Sequence, residues 1–343
     1  MAEEQLWTCS EFEIDNGYIW FVPININVLV KYDLKKKMVE KTFTWNEGVN
    51  IKGASYNVKK ILGNITVIPA RDNVMHIIDE NENINDIIVD NKDTDKERYQ
   101  AVSDCGDRSM CFPLFSDNII VFHEDGQINY VPFELKKITQ VLNMNSRIYL
   151  FNRGKELCWI SPDDYNVIEE NIDYLANISF AFKYDKNIIF LTGDGKAIMC
   201  KGENLSKIKE IANAPLNDFF SAGIFCKGKI ILFLNGTCEM VCVYNIESDS
   251  SEFIETGLKK NHEWIFNAFS CPKVFDNKIW IFSVLSQELV RFNSDGVVED
   301  RFSISVDEIM RDINNDLIYV DTDFIYTEDA WHSLDGFVQF INQ

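Results

Sequence analysis

The 343-residue sequence predicts an all-β fold, a β-propeller of seven blades with four antiparallel strands each, with six or eight blades as alternatives. Two observations favour this fold. A hairpin phrase returns along the chain: a polar turn pair, a β-branched or aromatic run, a short polar turn and a second strand. Its copies mostly lie about 40 to 50 residues apart with only strands between them, which is the period of propeller blades.

Each copy of the hairpin phrase is anchored by one isoleucine. The anchors lie 46, 54, 29, 40, 42 and 49 residues apart, at Ile19, Ile65, Ile119, Ile148, Ile188, Ile230 and Ile279. A partial eighth copy at Ile318 and the 29-residue interval leave six or eight blades open. Further strands flank most hairpins, as in VEKTF and SEFIET, and complete four strands per blade.

The last forty residues depart from the repeat. We expect a propeller over residues 1–303 and a C-terminal closing segment, 304–343, packed on it. The stretch SVDEIMRDI has helix-start chemistry at Ser305. The stretch TEDAWHSLDGFVQFI places apolar residues at helical spacing after Thr327, although the alternation in FVQFI also allows a closing strand.

The phrases NKIWIF and LVRFNSD resemble kelch-type repeats, and the resemblance covers most of residues 12–303. The chain has no Gly-Gly doublet, which kelch blades characteristically carry after this strand. The resemblance therefore implies a divergent kelch-like propeller and carries over no functional residues.

The formal net charge of −21 makes this an acidic protein. Such a field repels phosphate backbones and anionic headgroups, so we expect neither nucleic acid nor a membrane as a partner. The N-terminus lacks the basic and then apolar pattern of a signal peptide. Nine cysteines, an odd number spread along the chain, fit a reducing compartment. We expect a cytoplasmic protein.

The candidate binding residues belong to the predicted loops of one face. The connection into each inner strand and the turn between the second and third strands share one face. We place on that face Arg71, Arg108, Arg153, His123, Glu47, Trp45, His262 and Trp264. The arginines would bind a carboxylate, a phosphate or an acidic peptide, and the tryptophans would stack on a sugar or side chain. Ion pairing of the arginines with neighbouring acids is the alternative.

The sequence carries few signatures of catalysis or of bound groups. The four histidines have no paired spacing, and neither a G-x-S-x-G elbow nor a glycine-rich phosphate loop occurs, so we expect no metal and no cofactor. The sequence favours a binding or scaffold module that recognises a protein, a peptide or a glycan through the loop face around the central channel. The alternative is an enzyme, a hydrolase, lyase or cyclase, acting on a carbohydrate or peptide at the channel mouth.

The stretch SDCGDRSMCF, residues 103–112, precedes the third hairpin, and the repeat predicts where its residues lie. Its spacing to the third hairpin predicts that Cys111 is a packed residue of an inner strand. It also predicts that Cys105, Asp107 and Arg108 end a loop on the binding face.

Overall fold

The computed structural model describes residues 9, 11–23, 26, 28–45, 55–69, 74–89, 99–114, 116–144, 146–152, 157–170, 172, 175, 177–202, 205–259, 268–311 and 313, with the backbone alone at 55, 56 and 69. These residues form seven sheets of four strands. Blades 1 to 3 are β1 (Phe12–Asp15), β2 (Tyr18–Phe21), β3 (Leu29–Asp33), β4 (Met38–Phe43); β5 (Ser55–Ile61), β6 (Asn64–Pro69), β7 (Val74–Ile78), β8 (Ile84–Ile88); and β9 (Tyr99–Asp104), β10 (Arg108–Pro113), β11 (Asn118–His123), β12 (Ile128–Pro132).

Blades 4 to 7 follow the same plan. They are β13 (Ile138–Met144), β14 (Arg147–Asn152), β15 (Leu157–Ile160), β16 (Val167–Glu170); β17 (Ile178–Tyr184), β18 (Asn187–Thr192), β19 (Lys196–Lys201), β20 (Ser206–Asn213); β21 (Phe220–Cys226), β22 (Lys229–Leu234), β23 (Met240–Asn245), β24 (Ser250–Glu255); and β25 (Lys273–Phe275), β26 (Lys278–Ser283), β27 (Glu288–Phe292), β28 (Val298–Phe302).

Every sheet is an antiparallel meander in which each strand pairs with the next along the chain. The first strand of each blade contacts the first strand of the following blade, and β25 contacts β1. The first strands therefore form a closed ring around the axis. The expected fold, a propeller of seven four-stranded blades, is confirmed.

The third blade corrects the assignment of strands made from the sequence. Ile119 lies in β11, the third strand of its blade, whereas the other anchors lie in second strands. The second strand is β10, where Ser109 takes the equivalent place, 44 residues after Ile65 and 39 before Ile148. The irregular intervals of 54 and 29 residues came from this shift of one strand. Cys111 is fully buried as expected, but in a second strand, not an inner one.

Blades 1 and 7 repeat one packing arrangement. Trp20 in β2 lies opposite Lys31 in β3, and Trp280 in β26 lies opposite Arg291 in β27. Each tryptophan is buried against a phenylalanine from the outermost strand: Phe43 with ring centroids 5.6 Å apart, and Phe302 at 5.5 Å.

Among the described residues, every blade is built from four consecutive strands, and no strand is exchanged between the first and last blades. Helix α1 (Val306–Met310) follows β28, and the Ser305 hydroxyl caps it by accepting from the Glu308 amide. The Glu308 carboxylate accepts from the Val39 amide of β4 at 2.7 Å. Ile309 is fully buried in a cluster shared by blades 1 and 7, and burial of such a side chain contributes about 1.5–3 kcal/mol. Residues 314–343 lie outside the described part of the chain, so the closing segment as a unit stays a prediction.

Candidate functional site

The two faces of the disc differ in their connections. On one, the turn face, two or three residues join first to second strands, and four to six join third to fourth strands. The other, the loop face, carries the connections between blades and the turns between second and third strands. The three longest intervals between consecutive strands, 44–54, 89–98 and 256–272, join strand ends on the loop face because strand direction alternates within each blade.

Five of the eight candidate residues fall outside the described part of the chain: Arg71, Arg153, Glu47, His262 and Trp264. They stay predictions. The structure describes the other three, Trp45, Arg108 and His123, and brings Arg108 and His123 together but away from Trp45.

Trp45 follows β4 on the loop-face side of blade 1 and packs into the junction with blade 2. Its ring stacks on that of His76, with centroids 4.3 Å apart and planes 7° from parallel, and it is 9% exposed. His76 is held in turn by Asp86, whose carboxylate lies 2.8 Å from Nδ1. One face of the indole is therefore covered by protein, and a ligand-stacking role for Trp45 stays a prediction.

Arg108 and His123 lie on the turn face, which corrects their placement beside Trp45. Arg108 begins β10 and pairs directly with His123 at the end of β11. The shift of one strand in blade 3 caused the error, because adjacent strands run in opposite directions and the shift moves every turn to the other face. The Arg108 guanidinium donates to Asp163 at 2.7 Å, and its Nε lies 3.3 Å from Asp107. Arg108 is therefore an ion-paired link between blades 3 and 4.

Polar residues mark the loop-face end of the inner strands. The pairing of the first and second strands shifts by one residue there in blades 2 to 6, leaving one extra residue in each inner strand. In blade 2 the extra residue is Tyr56, and in blades 3 to 6 the extra residues are polar and form what we call the bulge ring: Gln100, Thr139, Ser179 and Ser221. Ser179 donates to the Phe220 carbonyl of the next blade, whereas Gln100 Oε1 and Ser221 Oγ are buried without a hydrogen-bond partner. The bulge ring therefore places one polar residue at the loop-face end of each of four consecutive inner strands.

Ionisable side chains gather on the inner strands of blades 7, 1 and 2. Glu11 Oε2 lies 2.6 Å from Lys59 Nζ, and Lys273 contacts both oxygens of Glu13 at 3.0 and 3.1 Å. Burial opposes the charge of Lys59, but attraction by Glu11 and other neighbours outweighs it and raises the Lys59 pKa. Burial chiefly raises the pKa of the nearby Cys271 thiol. Lys59 therefore stays protonated, and Cys271 is a poor nucleophile.

The bulge ring and the Glu11–Lys59 pair were not identified from the sequence. Each ring member is a single polar residue near the start of an inner strand, as in ITQV, ISFA and FSAG. The repeat identified in the sequence covers only the hairpins and does not include the inner strands. Aligning inner strands as well would have shown a polar residue at the second position in four consecutive blades.

Within the described ranges, no three His, Cys, Asp or Glu side chains come together as a metal site. In the same ranges, no helix has the length and apolar character needed to cross a membrane. All nine cysteines are free thiols.

No family model matches the chain, and no curated protein matches its sequence. Solved propellers match its fold. A streptogramin B lyase has a TM-score of 0.61 at 12% identity, over 82% of this chain and 92% of the lyase. Virginiamycin B lyase from Staphylococcus aureus has 0.60 at 11%, over 83% and 94%. PorZ, a surface component of the type-IX secretion system of Porphyromonas gingivalis, has 0.62 at 12%, over 88% of this chain but 38% of PorZ. At such identities the likeness shows the fold alone, and the resemblance to kelch repeats stays a prediction.

Proposed function

We propose that this chain is a binding or scaffold module whose loop face, around the channel mouth, holds a protein, a peptide or a glycan. The observation that carries the proposal is the asymmetry of the intervals between strands: the three longest join strand ends on the loop face, while those of the turn face span six residues at most. Binding residues concentrate on loops that a rigid scaffold positions. The bulge-ring residues that are at least partly exposed, Gln100, Thr139 and Ser179, would supply polar contacts beneath these loops.

The proposal keeps the cellular setting expected from the sequence. A cytoplasmic location suits nine free cysteines, because disulfides form and persist in oxidising compartments. The charge of −21 disfavours nucleic acid and membranes as partners of this face.

Variants on the two faces test which one binds. The full chain is screened against a glycan array and a displayed peptide library, and the strongest binder is titrated against three variants. We expect Arg71→Ala and Arg153→Ala, from loop-face connections, to weaken binding. Arg108→Ala, on the turn face, is the matched control and should leave it unchanged. A larger loss for Arg108→Ala than for the other two would overturn the choice of face.

An enzyme is the second candidate, and the Glu11–Lys59 pair near the channel favours it. A Lys59 that stays protonated would stabilise negative charge that develops on a bound carbohydrate or peptide, and Glu11 would accept a proton. Ligands found in the screen are incubated with the chain and with Glu11→Gln, and products are measured by mass spectrometry. Turnover by the wild type alone would support the enzyme. If neither protein changes the ligands, the result would favour the binding module over the enzyme.

A further inference from the structure

The turn face carries a group of lysines that the sequence analysis did not single out. Lys183 and Lys186 flank the turn from β17 to β18, Lys201 ends β19, and Lys227 lies in the turn from β21 to β22. All four are exposed, and we call them the lysine patch. The Gly202 amide donates to the Lys186 carbonyl at 2.9 Å, so the two turns of blade 5 adjoin.

None of the four lysines lies within 4.0 Å of a carboxylate oxygen in the described part of the chain, although Asp185 is exposed between Lys183 and Lys186. Most lysines in the described part of the chain lie within 4.0 Å of a carboxylate oxygen. The described lysines with no such partner are Lys35, Lys137, Lys183, Lys186, Lys201, Lys227 and Lys259, so four of these seven lie in the patch. Burial lowers the pKa of Lys183, and no attracting carboxylate opposes this effect.

Two aromatic rings lie within the lysine patch. Tyr184 adjoins Lys183, and Phe225 lies two residues before Lys227. Their centroids are 4.6 Å apart across the junction of blades 5 and 6, and both side chains are partly exposed. A patch of this kind combines unpaired positive charge with accessible aromatic surface, a pairing suited to carboxylates beside apolar side chains.

We propose that the lysine patch is a second binding surface, separate from the loop face, for a short acidic segment of a partner protein that also carries an aromatic or apolar side chain. The charge of the rest of the turn face limits how long the bound segment can be. Blades 2 to 4 expose carboxylates there, at Glu80, Asp104, Asp107, Glu124, Asp125, Asp163 and Asp164. A flat anionic membrane or a long polyanion would meet these carboxylates and be repelled, whereas a short segment fits within the patch.

The experiment uses the full chain and a short fluorescein-labelled peptide of alternating Glu and Phe. Binding is followed by anisotropy at about 0.15 M salt, where charges more than roughly 8 Å apart are screened. A peptide with Gln in place of Glu is the probe control. The test variant is Lys186→Glu with Lys227→Glu. The matched control is Lys35→Glu with Lys259→Glu, which changes net charge equally at lysines that also lack an acidic partner.

We expect the test variant to bind the Glu-Phe peptide at least about tenfold more weakly, and the matched control to change affinity less than about twofold. Circular dichroism checks folding, and Lys186→Gln with Lys227→Gln should give an intermediate loss. Equal losses in both variants, no measurable binding by the wild type, or tighter binding of the Gln peptide would each overturn the proposal. So would tighter binding of a single-stranded oligonucleotide or of anionic lipid vesicles.

Discussion

Gly296 lies in the turn between β27 and β28, where blade 7 packs on blade 6. Its φ is +74°, a region that L side chains rarely adopt. A Cβ added there would lie 2.5 Å from Val243 Cγ2 and 3.1 Å from Val241 Cγ2, both from β23 of blade 6. Gly296→Ala therefore introduces two separate penalties, one in the backbone and one between blades.

Gly126 provides a matched control. It occupies the same turn of blade 3, with φ +82°, and its amide donates to the His123 carbonyl as that of Gly296 donates to Asn293. A Cβ at Gly126 would meet nothing within 4 Å. Gly126→Ala therefore carries the backbone penalty alone.

The two penalties have different sizes. The left-handed backbone costs about 1–2 kcal/mol for alanine, and forcing a methyl group into packed side chains costs roughly 1–3 kcal/mol more. We expect Gly126→Ala to lower the free energy of unfolding by about 1–2 kcal/mol and Gly296→Ala by about 2–5 kcal/mol. With an unfolding entropy of about 2.1 cal/mol/K per residue, each kcal/mol lowers the Tm of a chain this long by roughly 1.4 °C.

Thermal and urea unfolding of the wild type and both variants would measure the difference. The double variant Gly296→Ala with Val243→Ala should lose about 1–3 kcal/mol less free energy of unfolding than the sum of the two single variants, because the clashing methyl group is removed. Equal losses in the two glycine variants, or no coupling with Val243→Ala, would refute the inferred contact between blades 6 and 7.

Three further predictions concern inter-blade contacts and thiols. Gln140 donates from Nε2 to the Ala181 carbonyl at 2.7 Å and accepts from the Ala181 amide at 3.0 Å, so Gln140→Leu should cost about 1–3 kcal/mol in urea unfolding, and an unchanged midpoint would contradict this role. Hydrogen bonds from Lys31 and then Lys41 lower the Glu82 pKa, so Glu82 should contribute stability above its unfolded pKa of about 4.3 that is lost as pH falls through its folded pKa. Glu82→Gln should therefore lower Tm at neutral pH and have little effect at the lowest pH, and a loss independent of pH would argue against the pair. Burial raises the pKa of Cys242 to about 12, so iodoacetamide should leave this thiol unlabelled in the native chain and label it in urea, with mass spectrometry as the readout. Rapid native labelling of Cys242 would contradict its burial.

The sequence determined the architecture of this protein to a large extent. Alternation of apolar residues and the chemistry of tight turns are local properties, so hairpins such as NGYIWF with VLVKYD were identifiable from their own residues. Their period then implied a ring of seven blades. The start of α1 could also be predicted from nearby residues, because a serine cap acts within one helical turn.

Only the tertiary structure decided which turns share a face. Whether a strand is second or third in its blade depends on the strands it pairs with, and β10, with Ser109 and Cys111 in place of β-branched residues, did not look like a second strand. That single shift put Arg108 and His123 on the wrong face. The lysine patch and the bulge ring depend on contacts between strands and between blades, including those between Tyr184 and Phe225 and between Ser179 and Phe220. Such contacts join residues about forty positions apart, so the hairpin repeat on its own did not indicate them.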